Sequence, residues 1–330
     1  MYKLGQRQSG FTVVELMVAM VIGVLLASGI LQILVNSSQA YRIQNGILRA
    51  QENGQFAMEF LARDIRSTAF WGCMNAVDEL NNLLDSDGSG YAAGIHEFNI
   101  PVEGTENASG SGDEIAGTDS ITVRGARIVG GGLRVLEPYG PTRADPITVN
   151  PGNGFEVGDI AIVSDCQAGD IFQVTNDADA SGQIAHETGS TSPGNSSPNL
   201  SKVYDDTAAV YAPYTHTYSI RNGSNGLPSL FRSDVSGDTE LVEGIENMIV
   251  LYGEDTNGNG TPNRYVRAGS VGDMNNVVSV RINILAQTLE DNLVASPQEY
   301  RFNNQNITPA DNRLRRAYST TITLRNRVNQ

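Results

Sequence analysis

Residues 7–35 read RQSGFTVVELMVAMVIGVLLASGILQILV, a long apolar run with one carboxylate, Glu15, near its start. The 25 residues from Phe11 to Val35 contain only four strongly polar side chains, those of Thr12, Glu15, Ser28 and Gln32. At about 1.5 Å per residue, a helix of this length covers roughly 37 Å, which is enough to cross the hydrocarbon core of a bilayer. The sequence therefore predicts one transmembrane helix over residues 11–35.

The carboxylate of Glu15 is costly in that setting. At the centre of a membrane helix an acidic side chain costs on the order of 2.5 to 3.5 kcal/mol on insertion scales. A carboxylate near the amino end of a helix suits the helix macrodipole, but another interaction is needed to offset the cost. The alternative is a carboxylate that is merely tolerated at the lipid interface.

The basic residues that flank the apolar run predict its orientation. Lys3 and Arg7 precede the run, and no further basic residue follows until Arg42. Because basic flanks stay on the cytoplasmic side, we expect a cytoplasmic amino terminus and a periplasmic domain anchored in the inner membrane. A cleavable secretory signal is the rival interpretation, but the apolar run is long and no A-x-A-like site closes it.

The helix is predicted to continue beyond the membrane as an amphipathic segment over residues 36–66. No proline occurs before Pro101, and Gly46 and Gly54 weaken the helix locally by about 1 kcal/mol each relative to alanine. Apolar or small residues recur at the spacing of one helical face, at Ile43, Ile47, Ala50, Gly54, Ala57, Leu61 and Ile65.

From residue 67 the periodicity changes to short runs rich in Val, Ile, Thr and Tyr, separated by clusters of Gly, Asn, Asp and Pro. Such runs indicate strands, so the fold class is α+β, with a β-rich globular domain over residues 67–330. Residues 221–228, RNGSNGLP, are typical of a hairpin tip, and residues 176–201 predict an exposed, mobile loop. The clearest strands begin at Ser120, Asp159, Asp170, Ala208, Glu246, Val277 and Ser319.

Composition and motifs argue against nucleic-acid binding and against catalysis. The 330 residues include 22 basic and 37 acidic side chains, a net charge of −15, whereas phosphate recognition needs a basic face. His96, His186 and His216 have no metal-ligand spacing, so we expect them on the surface or in loops. The chain has no G-x-S-x-G elbow, no complete G-x-G-x-x-G fingerprint and no Walker lysine. We predict a protein that is not an enzyme and requires no cofactor.

The two cysteines, Cys73 and Cys166, lie in the part of the chain predicted to be exported. Because disulfides persist outside the cytoplasm, a bridge between them is favoured over two free thiols. In the chain-entropy model, closing a loop of about 93 residues stabilises the fold by roughly 4 to 5 kcal/mol.

Residues 255–266, DTNGNGTPNRYV, match the start of a calcium loop. Asp255, Asn257, Asn259, the Thr261 carbonyl and the Asn263 side chain are the candidate Ca²⁺ ligands. Val266 stands where an EF-hand has its bidentate glutamate. The alternative, which composition favours, is an Asn- and Gly-rich turn between two strands.

The stretch SGFTVVEL, residues 9–16, resembles a type IV prepilin leader followed by its retained helix. The resemblance implies that residues 1–10 are a leader peptide, and that a prepilin peptidase cleaves between Gly10 and Phe11 and methylates the new amino group of Phe11. Phe11 and Glu15 lie one helical turn apart, so cleavage would create a cation near the costly carboxylate. The resemblance also implies that Glu15 meets the amino terminus of a neighbouring subunit during assembly and acts as a docking device.

Later segments resemble PilW-type minor pilins over nearly the whole chain. They are RAQENGQFAMEFLARDIRSTAFWGC from Arg49, VSDCQAGDIFQVT from Val163, SLFR from Ser229, LVEGIENMIVLYGEDTNGNG from Leu241 and RRAYSTTITLRN from Arg315. This resemblance implies a pilin-like fold, supports the Cys73–Cys166 bridge and a cation at the Asp255 loop, and implies other minor pilins, the major pilin and the inner-membrane assembly machinery as partners.

The resemblance implies a minor pilin that primes assembly of a type IV pilus and sits at or near its tip, at the cell surface, supporting adhesion, twitching motility or DNA uptake. The nearest alternative is a J-type minor pseudopilin of a type II secretion system, which shares the leader and the domain plan. A membrane-anchored enzyme or carbohydrate-binding module with a pilin-like anchor is a rival from another class.

Overall fold

A computed structural model describes residues 10–74 and 80–327. Most of the predicted leader, including Lys3 and Arg7, lies outside the described residues. The described chain is a long amino-terminal helix followed by a β-rich domain, so the predicted α+β, pilin-like fold class is confirmed.

The first helix, α1, runs without a break over Val13–Ser67. Its apolar first half stands free of the domain: the large hydrophobic side chains from Val13 to Val35 are all exposed. By length and composition, α1 can cross a membrane. Its second half packs on the domain through a face of mainly small residues, Ala50, Gly54, Ala57, Leu61, Ala62 and Ile65. The first half of α1 is therefore exposed and the second half is packed on the domain, as the sequence predicts. The boundary between the membrane segment and the amphipathic segment, at residues 35 and 36, stays a prediction.

Strands dominate the rest of the described chain, and short helices interrupt them. The short helices are α2 (Ala93–His96), α3 (Ala178–Ser181) and two 3-10 turns (Ala268–Ser270 and Met274–Asn276). The strands are β1 (Leu80–Asn82), β2 (Val102–Thr105), β3 (Ser120–Arg134), β4 (Ile147–Thr148), β5 (Ile160–Ser164), β6 (Gly169–Gln173), β7 (Gln183–Ile184), β8 (Ala209–Asn222), β9 (Pro228–Asp234), β10 (Gly237–Glu243), β11 (Ile245–Glu254), β12 (Arg264–Val266), β13 (Val277–Gln287), β14 (Tyr300–Phe302), β15 (Gln305–Ile307) and β16 (Arg315–Thr323).

The larger sheet has eight strands in the order β1-β6-β5-β8-β3-β2, with β9 paired to β8 and β10 paired to β9. The β1–β6 pair is parallel and the other pairs of this sheet are antiparallel. The smaller sheet is antiparallel, in the order β12-β11-β13-β16. Strands β14–β15 and β4–β7 form two separate pairs. The predicted hairpin tip joins β8 to β9, and each of the seven strands predicted from sequence overlaps an observed strand.

The main hydrophobic core forms where α1 meets both sheets. Ala57, Leu61 and Ile65 of α1 are completely buried among apolar side chains of the larger sheet, such as Ile121, and of the smaller sheet, such as Ile282. Burying a leucine or isoleucine side chain contributes roughly 1.5 to 3 kcal/mol, so Leu61 and Ile65 fix the helix to the domain.

Two expectations about exposure are wrong. The segment 176–201 is not a free loop, because it contains α3 and β7 and buries Ala178, Ile184 and Leu200 in a second core. The histidines were expected on the surface or in loops, but His96 is buried at the end of α2, and His186, although it lies in a loop, is buried as well. The His186 ring packs 5.1 Å from the ring of Phe172, so apolar packing holds this histidine in place.

Candidate functional site: the amino-terminal helix and its seat on the sheets

The predicted processing site lies in an extended, exposed segment immediately before α1. Gly10 has no neighbouring atom within 4 Å of an added Cβ, and Phe11 is 86% exposed. The helix itself begins only at Val13. The Gly10–Phe11 peptide bond is therefore sterically open to an enzyme.

Thr12 and Glu15 form a capping box at the start of α1. The backbone N–H of Thr12 donates to Glu15 Oε2 at 2.9 Å, and the Thr12 hydroxyl contacts the same oxygen at 3.0 Å. In return the backbone N–H of Glu15 donates to Thr12 Oγ1 at 3.3 Å. The carboxylate that is costly in the apolar run thus has hydrogen-bond partners within its own helix.

The sequence interpretation missed Thr12 as a functional residue. The signal was available, because T-V-V-E over residues 12–15 fits the S/T-x-x-E pattern of a capping box. Thr12 fixes the first turn of α1, and Phe11 precedes it by one residue. The amino group that cleavage would create at Phe11 therefore belongs to the residue next to the helix cap.

Two glycines of α1 permit close packing of the helix on the domain. A Cβ on Gly54 would lie 2.4 Å from Cε2 of Tyr318 on β16, and a Cβ on Gly46 would lie 2.7 Å from Cδ1 of Leu293. Side chains at these positions would push the helix away from the domain. The glycines that weaken the isolated helix therefore allow its contact with the domain.

A polar network joins the end of α1 to the larger sheet. Oδ2 of Asp64 accepts hydrogen bonds from Nδ1 of His216 and from the Tyr218 hydroxyl, both at 2.6 Å. Burial opposes the charged carboxylate, but these donors outweigh it and hold the pKa of Asp64 below its ordinary value. Burial and the Asp64 charge raise the pKa of Tyr218, so its phenol stays protonated and donates.

Further contacts extend this connection along the helix. Ser67 Oγ lies 3.0 Å from the Tyr214 hydroxyl, and burial raises the pKa of Tyr214 to about 12. Nearer the membrane segment, Arg42 forms an exposed ion pair with Glu290 at 3.2 Å. Exposed pairs of this kind contribute about 0 to 1 kcal/mol, so the buried face and the Asp64 network hold the helix in place.

Cys73 and Cys166 are joined in a disulfide, with their Cα atoms 4.9 Å apart. The bridge ties the chain just after α1 to the turn between β5 and β6. Trp71, two residues before Cys73, is almost fully buried, and its carbonyl accepts a hydrogen bond from Ser164 Oγ at 2.8 Å. The end of the helix is thereby fixed to the larger sheet both covalently and by packing.

In the candidate calcium loop, side chains bind the loop's own backbone. The Asp255 carboxylate accepts backbone N–H groups of Asn257, Gly258 and Gly260 at 3.1, 2.8 and 2.6 Å. The side-chain oxygen of Asn259 accepts the N–H of Thr261 at 2.9 Å, and that of Asn263 accepts the N–H of Thr256 at 2.8 Å.

These hydrogen bonds compete for the oxygens that a cation would need. Although burial opposes ionisation, the N–H groups hold the pKa of Asp255 below its ordinary value, so the carboxylate is charged and already has partners. Among the described residues, no group of three or more His, Cys, Asp or Glu side chains is placed to hold a metal ion. The geometry is that of a closed Asn- and Gly-rich turn, and calcium binding by this loop stays a prediction.

Two family models match the chain. The model described as type IV pilus-assembly protein W (PilW) matches residues 217–326, from the end of β8 past β16. The model described as the prokaryotic N-terminal methylation motif matches residues 5–31, which include Gly10, Phe11 and Glu15. No curated protein and no solved structure matches the chain. With a methylation motif at the start of the helix and a PilW match over its carboxy-terminal third, the resemblance of this chain to PilW-type minor pilins of type IV pili is confirmed.

Proposed function

We propose that this chain is a non-enzymatic minor pilin that helps to prime assembly of a type IV pilus and is incorporated at or near its tip. The observation that carries the proposal is the continuous helix α1, which leaves its apolar half free and seats the other half on the sheets. A subunit built in this way can be stored in a membrane and later pack its helix against other helices. Adhesion, twitching motility or DNA uptake would be the activities it supports.

Processing is the first step of the proposed function. A prepilin peptidase would cleave the exposed bond between Gly10 and Phe11 and methylate the amino group of Phe11. Cleavage would remove residues 1–10 and keep the whole apolar helix. The methylation-motif match over residues 5–31 supports this step.

Glu15 would then act in docking. Within the described residues, the partners of its carboxylate are the Thr12 groups. A new ammonium group at Phe11 adds a cation in a region of low dielectric, where an opposite charge stabilises a carboxylate more strongly than in water. In a filament, the amino terminus of a neighbouring subunit would meet Glu15 and set the register between the two helices.

We propose the inner membrane as the site of the protein before assembly, with a cytoplasmic amino terminus and a periplasmic globular domain, and the pilus at the cell surface afterwards. The partners would be the prepilin peptidase, other minor pilins, the major pilin and the inner-membrane assembly machinery. The chain's charge of −15 gives no support for direct binding to nucleic acid.

Deletion of the gene, with complementation, tests the proposal. We expect a loss of surface pili or of twitching that the wild-type gene restores, and co-purification of other minor pilins with the detergent-extracted mature chain. Normal pili with normal twitching, or co-purification of secretion-system components instead, would contradict it. The second outcome would identify the J-type pseudopilin alternative.

A further inference from the structure

The central strand of the larger sheet has an open edge in its middle. One edge of β8 pairs with β3 from Ala209 to Tyr218. The other edge pairs with β5 at Ala209–Tyr211 and with β9 at Thr217–Asn222. Between these two stretches, Ala212–His216 has no strand partner on that edge among the described residues. We call this gap, which opens into a cavity of about 410 Å³, the slot.

The slot is too short for another strand. Ile160 begins β5 two residues before Ile162, which lies opposite Tyr211, so β5 reaches the level of Pro213. Asp234 ends β9 one residue after Ser233, which lies opposite Thr217, so β9 reaches the level of His216. Three residue steps remain, about 10 Å at 3.3 Å per residue, whereas strands usually have five or six residues. The slot therefore fits a compact ligand rather than an added peptide strand.

Two aromatic rings form one wall of the slot. The rings of Tyr214 and His216 lie on the same face of β8, with centroids 4.8 Å apart and planes inclined by 33°. Two hydrogen bonds to α1 fix these rings: one joins His216 Nδ1 to the Asp64 carboxylate, and the other joins the Tyr214 hydroxyl to Ser67 Oγ. Because both rings are half-buried and fixed, they present a rigid apolar surface without losing side-chain entropy on binding.

Hydrogen-bonding groups around the rings remain available. Arg127, opposite Ala212 on β3, is exposed, and within the described chain its guanidinium makes no hydrogen bond or ion pair. Nδ1 of His96 accepts the N–H of Ala92 at 3.0 Å, and burial lowers the pKa of His96. A neutral ring in that state carries its proton on Nε2, so His96 offers a donor to the slot that it lines.

The charges at the slot do not favour an anionic ligand. Asp159 and Asp234 lie at its two ends, and Arg127 is the one guanidinium that lines it in the described residues. Asp234 also pairs with Arg232 at 3.5 Å, so the charges around the slot are close to balanced. Asp159 and Asp234 each accept one backbone N–H, from Glu156 and Ser236, and a carboxylate has further lone pairs that accept hydroxyl groups. Negative charge at both ends gives no attraction for phosphates or nucleic acids. A ligand with many hydroxyls, no charge and apolar C–H faces would use the carboxylates, the donors and the rings together.

We propose that the slot binds a neutral carbohydrate of one or two sugar units. The C–H face of a sugar ring packs on Tyr214 and His216, and its hydroxyls bond to Arg127, His96 and the aspartates. The proposal concerns the globular domain alone and does not depend on the place of the chain in a filament.

The test uses the detergent-solubilised full chain and saturation-transfer NMR with lactose, maltose and chitobiose, with inorganic phosphate and tetra-alanine as comparison probes. We expect at least one saccharide to bind, and Arg127→Ala to weaken it about tenfold, the scale of one lost hydrogen bond to a charged group. Ser236→Trp, at an exposed position at the slot opening, should block binding. Arg143→Ala is the matched control, because Arg143 is exposed, lies outside the slot and should leave the affinity unchanged.

Thermal unfolding of each variant checks that it is folded. The proposal is overturned if none of the three saccharides binds at millimolar concentration, if only phosphate or the peptide binds, or if saccharide binding survives both Arg127→Ala and Ser236→Trp. None of these outcomes bears on pilus assembly, which is measured separately in cells.

Discussion

The carboxylate of Asp64, three residues before the end of α1, lies 2.6 Å from Nδ1 of His216 in the central strand of the larger sheet. The two residues are 152 positions apart in sequence, so this contact forms only when the helix is seated on the domain. It joins the element proposed to enter the filament to the domain proposed to be displayed on it.

Replacing Asp64 is expected to weaken the attachment of α1 to the domain. Asp64→Asn removes the charged acceptor of both His216 and Tyr218 and should lower the free energy of unfolding by about 1 to 3 kcal/mol. Asp87→Asn, at an exposed aspartate, is the matched control and should have little effect. Denaturant unfolding of the full chain in detergent measures both, and equal stabilities of the two variants would count against the network.

The contact between Asp64 and His216 also predicts that the stability of the fold depends on pH. Because folding lowers the pKa of Asp64, its contribution to stability is present above the ordinary value near 3.8 and is lost as the pH falls through the folded value. The stability difference between wild type and Asp64→Asn should therefore shrink below about pH 4. A difference that stays constant down to pH 2 would contradict this assignment.

Gly54 provides a test of helix packing. Gly54→Leu places a side chain where even a Cβ would lie 2.4 Å from Tyr318, so it should lower the free energy of unfolding by about 1 to 3 kcal/mol. Helix propensity alone predicts the opposite change, a gain in stability, because it favours leucine over glycine. Gln55→Leu, one residue further on an exposed face, is the control. A Gly54→Leu protein as stable as Gln55→Leu would show that the helix does not pack as described.

The sequence predicted the long helix and the β-rich domain because both depend on local pattern: an apolar run, a 3.6-residue spacing and β-branched stretches. It did not predict the role of Gly54, which depends on a contact with Tyr318 from the other end of the chain. It expected His186 on the surface or in a loop; the residue lies in a loop, but packing against Phe172 buries it. The slot beside Tyr214 could not be predicted because it arises from strand registers, which composition does not encode.

The disulfide is expected to stabilise the domain substantially. Cys73→Ser combined with Cys166→Ser should lower the free energy of unfolding by about 2 to 5 kcal/mol. Reduction of the wild-type protein should produce a similar loss, and the double variant should not respond to reductant. Wild-type protein that accumulates in folded form in cells lacking periplasmic oxidation would argue against that contribution.

A substitution at Asp255 distinguishes a structural role of this loop from a cation-binding role. Asp255→Ala removes the acceptor of three backbone N–H groups and should lower the free energy of unfolding by about 1 to 3 kcal/mol. We expect the same loss in EDTA and in millimolar calcium. A wild-type stability that rises with calcium, and a rise that Asp255→Ala abolishes, would instead establish the calcium site predicted from sequence.

The central claim is that Glu15 acts in assembly after processing at Gly10. The most direct measurement is the amount of mature chain in sheared, purified pili from cells that express wild type, Glu15→Ala or Thr12→Val, with the amino-terminal mass of each membrane-extracted chain checked. We predict that all three begin at methylated Phe11, that Thr12→Val, which loses the cap but keeps the carboxylate, is incorporated, and that Glu15→Ala is largely absent from pili. Incorporation of Glu15→Ala at the wild-type level would contradict the account.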